Sequence, residues 1–406
     1  MATYLRRSLE PVIRKAAAEF PAIVLTGPRQ SGKTTLLRQV FGETHGYVAL
    51  DLPDVRASVA SDPRGFLDAH ESPVIFDELQ YVPELLPYIK ERIDARRDVP
   101  GQYLLTGSQN LLLLQGVTES LAGRAAMLRL LPLSRREAAG RPDSPLPWEG
   151  GGADNVPTFS SPTELWADIL RGGFPELAAA PDRDASLWHA SYVESYLERD
   201  VRSLRQVGDL TQFQSFLRAL AARSAQLLNL TDLARDVGVA VNTAKSWLSV
   251  LEAGYQVFVL RPYFANVGKR MVKSPKVYFA DTGTLCYLTG LQSPEHAVAG
   301  PMGGALMETA VISEVLRTLT HRGTEPQLYF WRTSTGTEVD LVVKSGTELV
   351  PVEIKISATP RPAMAESISA FRADVKESTA GGYVVHPGTV RTPLGSDAVS
   401  LPFAEL

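Results

Sequence analysis

The chain has 406 residues, 44% hydrophobic and 21% charged, with 41 basic against 45 acidic side chains and a net charge of −4. That length accommodates about two to four domains, and the near balance of charge supplies no overall field for a nucleic acid or a membrane, so any basic surface has to be local. The single cysteine, Cys286, excludes internal disulfides and cysteine-based zinc sites and is expected in a core.

No apolar run approaches the roughly 20 residues that span a bilayer. Residues Met1 to Arg14 alternate charged and apolar side chains without the apolar stretch of a signal peptide, so a cytoplasmic protein with no membrane contact is expected. Short apolar runs at Ala22–Leu25, Tyr47–Leu50, Val74–Phe76 and Tyr103–Leu105 alternate with helical stretches such as Pro83–Arg97. The alternation predicts an α/β fold with a parallel sheet covered on both faces and a ligand at the C-terminal strand ends.

Directly after the first run comes Gly27-Pro28-Arg29-Gln30-Ser31-Gly32-Lys33-Thr34, followed by Thr35 and a helical stretch. Two glycines at this spacing, then Lys and Thr, between strand and helix, form a phosphate-binding loop. Gly32 lets the backbone close on phosphates, successive N–H groups form an anion nest at a helix start, Lys33 reaches the outer phosphates, and Thr34 places its hydroxyl on magnesium. The third run ends in Asp77-Glu78, where Asp77 is placed to hold magnesium and Glu78 to polarise an attacking water. The fourth ends in Thr106-Gly107-Ser108-Gln109-Asn110, so Thr106 or Ser108 is a candidate γ-phosphate sensor. ATP and Mg2+ are the implied cofactors.

Between Gly140 and Pro162 the composition turns to Gly, Pro, Ser and Asp, which predicts a loop or insertion. Helical spacing follows at 164–205, with Tyr192, Tyr196, Leu197 and Val201 on one stripe. Leu230–Gly238 reads as a helix capped by Thr231 and closed by a turn at Gly238, and Val241–Leu251 as a second helix with Val241, Trp247, Leu248 and Leu251 inward. With the strand Gln256–Leu260 these resemble a winged helix. In that arrangement Asn242, Thr243, Lys245 and Ser246 face the major groove, and Arg261, Lys269, Arg270, Lys273 and Lys276 with Tyr263 and Phe264 form a basic stretch that tracks phosphates, so DNA is a candidate partner. A winged helix used for protein contact is the competing reading.

The last segment mixes a helix at Met307–Leu319, strands at Gln327–Trp331, Val339–Val343 and Pro351–Ile356, a helix at Pro362–Val375 and a strand at Gly382–His386. Glu353 and Lys355 are two apart on one strand and share a face, which Asp340 approaches by hairpin pairing. Glu308 is a fourth candidate. The bland alternative is a hairpin with solvated outward charges.

The set Gly-Pro-Arg-Gln-Ser-Gly-Lys-Thr, Phe-Asp-Glu-Leu-Gln, Leu-Thr-Gly-Ser-Gln and Ser-Leu-Ala-Gly-Arg resembles AAA+-type ATPases of bacteria and archaea that carry a C-terminal domain of unknown function, over nearly the whole chain. The resemblance implies three parts: a P-loop ATPase at 1–160, a helical linker and winged helix at 161–265, and an α/β restriction-endonuclease-like domain at 266–406. It implies that Arg124 is a sensor or finger arginine, acting within the chain or across a homo-oligomer, with a surface arginine on a helix as the competing reading. Arg29, inside the loop, is placed to contact nucleotide or a neighbouring acid. Asp340, Glu353 and Lys355 resemble the PD-(D/E)XK nuclease core, which implies metal on Asp340 and Glu353 and a water oriented by Lys355. The readings that follow are an ATP-driven switch or motor, an ATP-regulated nuclease, or a non-enzymatic regulator that binds ATP and DNA or a protein.

Overall fold

The computed structural model describes residues 4–107, 120–150, 161–196, 209–263, 274–375, 377, 379–395 and 397–406. Ser108, Gln109, Asn110, Leu197, Val201, Phe264, Lys269, Arg270 and Lys273 lie outside the described residues.

Five parallel strands form the first sheet: β1 (Ala22–Thr26), β2 (Gly46–Ala49), β3 (Val74–Asp77), β4 (Tyr103–Gly107) and β5 (Ala125–Arg129), in the order β2-β3-β4-β1-β5. Side chains alternate between faces along a strand. Ile23, Leu25, Ile75 and Leu104 therefore pack with Leu9, Ile13, Leu36 and Leu37 on one face, and Val24, Val74, Phe76 and Leu105 with Phe66, Leu86 and Ile89 on the other. Both faces are covered, as the near-continuous apolar runs require. The expected Pro83–Arg97 helix is shorter: two 3-10 turns at Leu79–Tyr81 and Pro83–Leu85 lead into a helix at Leu86–Ala95.

A second sheet holds eight strands: β6 (Gln226–Leu227), β7 (Val257–Pro262), β8 (Lys276–Phe279), β9 (Leu328–Arg332), β10 (Glu338–Ser345), β11 (Glu348–Ile354), β12 (Gly382–His386) and β13 (Ala398–Pro402), in the order β13-β12-β11-β10-β9-β7-β8-β6. β7 and β6 pair antiparallel with β8, while β7 joins β9 in parallel through Arg261↔Tyr329 and Pro262↔Phe330. The sheet thus runs across the expected boundary between residues 265 and 266. The helices Leu210–Ala221, Leu230–Val237 and Val241–Ala253 pack on it, and one apolar core extends from Leu146 through Trp247 to Phe403.

Asn229, not Thr231, caps the Leu230–Val237 helix, its side chain accepting from the N–H of Thr231 at 3.1 Å and Asp232 at 3.2 Å. A side chain set one residue outside the helix reaches the free amides better than one already in its first turn. Gly238 closes the helix at φ 76°, and Trp247, Leu248 and Leu251 are buried, but Val241 is 43% exposed because it opens its helix beyond the contact with its neighbour. Cys286 is buried. No described helix is long and apolar enough to cross a membrane.

Candidate nucleotide site and acid cluster

The loop from Gly27 to Gly32 joins β1 to the Lys33–Phe41 helix, and its two glycines hold φ of 152° and 93°. A Cβ on Gly27 would stand 2.0 Å from the carbonyl oxygen of Leu130, so only glycine fits where the loop passes the end of β5. Lys33 is 5% exposed and its ammonium donates to the carbonyls of Gly27 at 3.0 Å and Pro28 at 2.8 Å. Ser31 is fully buried, and among the described residues its hydroxyl has no hydrogen-bond partner. Pro28 is buried, Arg29 and its neighbour Tyr81 meet at 3.5 Å, and Gln30 and Thr35 are exposed, Gln30 at a positive φ of 59°.

Parallel pairing of β2, β3 and β4 brings Asp77 beside the loop. The Thr34 hydroxyl lies 3.0 and 2.9 Å from its two carboxylate oxygens, and the Tyr47 hydroxyl donates to Oδ2 at 2.9 Å. Burial and then the Asp77 charge hold the Tyr47 hydroxyl above its usual pKa. Thr106 donates to Asp77 Oδ1 and accepts from the Glu78 N–H at 3.0 Å. Thr106 thus contacts both acids, while Ser108, the other candidate γ-phosphate sensor, lies outside the described residues. Glu78 adopts φ 61° and ψ 45°, and Gln80 donates to its carboxylate.

Arg124 is not part of this cluster within one chain. It precedes β5, whose first residue pairs with the first residue of β1, at the end of the strands away from the loop. Its guanidinium holds Asp94 with contacts of 2.6 and 3.0 Å. The side chain is ion-paired there because Leu121–Arg124 forms a turn over the bottom edge of the sheet rather than reaching its top.

Three contacts from outside the first sheet converge on the loop region. Tyr255, after the Val241–Ala253 helix, shares a 2.8 Å hydrogen bond with Thr26. Arg7 donates to Ser31 O at 2.8 Å and to Leu131 O at 2.7 Å, and its guanidinium lies 3.2 Å from Glu137. Glu137 also accepts from the ring of His321, at the end of the Gly303–His321 helix, at 3.0 Å. His321 Nε2 accepts the Leu131 N–H at 3.0 Å, so the neutral ring carries its proton on Nδ1.

The second candidate site sits in the eight-stranded sheet. Carboxylate oxygens of Glu308, Glu338 and Asp340 come within 4.8 Å of one another. Asp340 accepts the Ile354 N–H at 2.8 Å, and Glu353 is held by Lys355, just beyond the end of β11, and by Ser367 at 2.7 Å. Burial and then the Asp340 charge push Glu308 and Glu353 up to about 7. Burial raises Asp340 too, against the opposing charge of Lys276. Lys276, expected on a basic surface, is instead 4% exposed, its ammonium 2.8 Å from Glu308 and in contact with Glu338. It sits on β8, whose four residues are all buried, and the acids hold its charge where a surface lysine would hydrate. Sequence reasoning missed Glu338, Lys276 and Tyr47, and the acid two positions before Asp340 was the one signal that pointed to Glu338.

A family of AAA domains matches residues 19–139, and two domains of unknown function, DUF8612 and DUF4143, match residues 163–295 and 303–406. Uncharacterized proteins of Mycobacterium bovis (Mb2031c) and Mycobacterium tuberculosis (Rv2008c) are each 32% identical over 402 residues, covering 98% of this chain and 83% of theirs. Among solved structures, the Walker-type ATPase PABY2304 of Pyrococcus abyssi is 17% identical, covering 71% of this chain and 99% of that one, with a TM-score of 0.44. The chain belongs to the family of these mycobacterial proteins and carries a P-loop AAA domain at residues 19–139.

Proposed function

We propose that this protein hydrolyses ATP and transmits the state of its phosphate loop to the modules that follow. The contact between Thr34 and Asp77 beside the loop, at 2.9–3.0 Å, carries the reading. Those two residues are the ones that would hold magnesium, which when bound neutralises charge on the phosphates. The donor set fits: a hydroxyl and a carboxylate suit a hard cation, and the glycine-lined loop has no room for a Cβ at Gly27. Lys33 supplies the point charge for the outer phosphates, and Glu78, turned by its left-handed backbone, orients and deprotonates the attacking water. Loss of Lys33 in Lys33→Ala removes about 2–5 kcal/mol of phosphate interaction. Phosphate release measured with magnesium ATP is expected from the wild type and lost in Lys33→Ala and Glu78→Gln; release that survives both substitutions rejects this site.

The route outward runs through Tyr255 and through Arg7, Glu137 and His321. Residues 210–262 read as a winged helix whose Asn242 and Lys245 are exposed for a nucleic acid or a protein. The module boundary suited to this reading falls between residues 295 and 303, where the matched segments meet. An arginine for the γ-phosphate would come from elsewhere in an oligomer.

A second reading, metal-dependent cleavage of nucleic acid, rests on the convergence of Glu308, Asp340, Glu353 and Lys355. Oxygen donors there suit magnesium or manganese. Incubating DNA with either ion tests it: cleavage abolished by Asp340→Ala supports it, and cleavage unaffected by that substitution rejects this site.

A further inference from the structure

A cavity of about 410 Å³ lies away from both sites, where three parts of the chain meet. Its walls come from the Arg135–Ala138 helix at the end of the AAA segment, from Asp168–Gly173, from Ala310–Arg317 on the Gly303–His321 helix, and from Phe403. Six arginines line it against three acids. Several of these charges are already balanced: Arg135 lies 3.6 Å from Asp168 with its guanidinium 4.3 Å from the centre of the Phe403 ring, and the Glu314 carboxylate accepts the Arg135 N–H at 2.9–3.0 Å.

Arg136 is different. It is 7% exposed, donates through one nitrogen to Pro145 O at 3.0 Å, and reaches Glu314 only at 4.0 Å. Among the described residues its Nε and a terminal nitrogen find no acceptor, and neither does Nε of Arg317, which is 5% exposed and whose terminal nitrogens donate to Leu133 O and Ala280 O. Guanidinium donors left without acceptors in a buried wall are costly, and a planar fork of N–H groups matches the oxygens of a carboxylate or phosphate. Burial also lowers the pKa of Arg136, with Glu314 as its chief counter-charge.

We propose that this cavity binds a small organic anion, an oxyanion head facing Arg136 and Arg317 on an apolar body against Phe403, Ile169 and Ala310. The site is independent of the ATPase reading, although the helix that supplies Arg136 also carries Glu137, which contacts Arg7 and through it the phosphate loop.

The test uses an aromatic sulfonate, 8-anilinonaphthalene-1-sulfonate, titrated by fluorescence into the full chain without nucleotide. Saturable one-to-one binding tighter than about 1 mM is expected, with the uncharged parent N-phenyl-1-naphthylamine weaker by about thirtyfold or more. Arg136→Gln, which removes the head's partner, and Ala310→Leu, which fills the cavity without changing charge, are each expected to weaken binding by a similar factor. The two variants fail in different ways if they disturb folding, and circular dichroism checks both, while the comparison of charged and uncharged dyes needs neither. Absence of saturable binding, equal binding of the uncharged dye, or wild-type affinity in folded variants overturns the proposal.

Discussion

One hydroxyl links Asp77 to Glu78. Thr106 donates to the first and accepts the backbone N–H of the second, which sits at φ 61° where non-glycine residues are uncommon. Thr106→Val keeps the shape and deletes the hydroxyl, leaving the Glu78 N–H without its acceptor. A loss of about 1–3 kcal/mol in denaturant unfolding is expected, with slower phosphate release and near-normal ATP binding. Unchanged turnover would show that Thr106 does not set the acids. The loop itself was legible because its eight residues are contiguous and each answers a local demand. Tyr47 and the contacts of Thr106 were not, because both meet Asp77 across strands some thirty residues apart, and the register that joins them is a property of the sheet.

Among the elements, the Arg135–Ala138 helix is a junction. Ser134 and Glu137 close a capping box, and the Glu137 carboxylate then serves Arg7 and His321 at full burial. Burial opposes the Glu137 charge, yet Arg7 and His321 outweigh it and hold its pKa well below the usual range. Glu137→Gln leaves Arg7 buried without its counter-charge and is expected to cost about 3–5 kcal/mol in urea unfolding; a loss under about 1 kcal/mol would remove the junction from the account. His321 sets the pH dependence here. Burial holds its folded pKa below the ordinary 6.5, so the unfolded chain takes up the proton first. Its contribution is complete above pH 6.5 and is lost as pH falls through the lower folded value. The stability gap between wild type and His321→Gln should therefore narrow from about pH 7.5 to about pH 5.5; a gap that widens on acidification contradicts the neutral ring. Helices and central strands of the first sheet were readable from apolar runs. β5 was not, since Ala125–Arg129 is an edge strand whose short, weakly β-forming run of Ala, Ala, Met and Leu stays half-exposed or exposed, and β8 was masked by Lys276, a charge that only its partners explain.

At the scale of the molecule, one core and one sheet unite the two segments that follow the AAA domain, and the AAA domain meets them through Tyr255, His321 and Arg317. The Arg317 guanidinium donates to Leu133 O at 3.0 Å, and the Leu133 N–H donates to Gly173 O at 2.7 Å. Residues 1–139 expressed alone would lose all of these partners, leaving Glu137 without His321, and are expected to unfold at lower urea than the full chain followed by a probe in the first sheet. Equal midpoints would mean that the segments do not support one another. The Gly- and Pro-rich stretch after Gly140 marked the end of the AAA segment in the sequence, but the shared sheet was not legible, because β7 and β9 are joined in space and separated by more than sixty residues of chain. The proposed activity is turnover of ATP by the phosphate loop, Asp77 and Glu78. It is tested most directly by incubating wild type and Glu78→Gln with magnesium ATP, removing free nucleotide and identifying what stays bound. ATP is expected on the variant and ADP or nothing on the wild type. ADP on both, or no nucleotide on either, would contradict it.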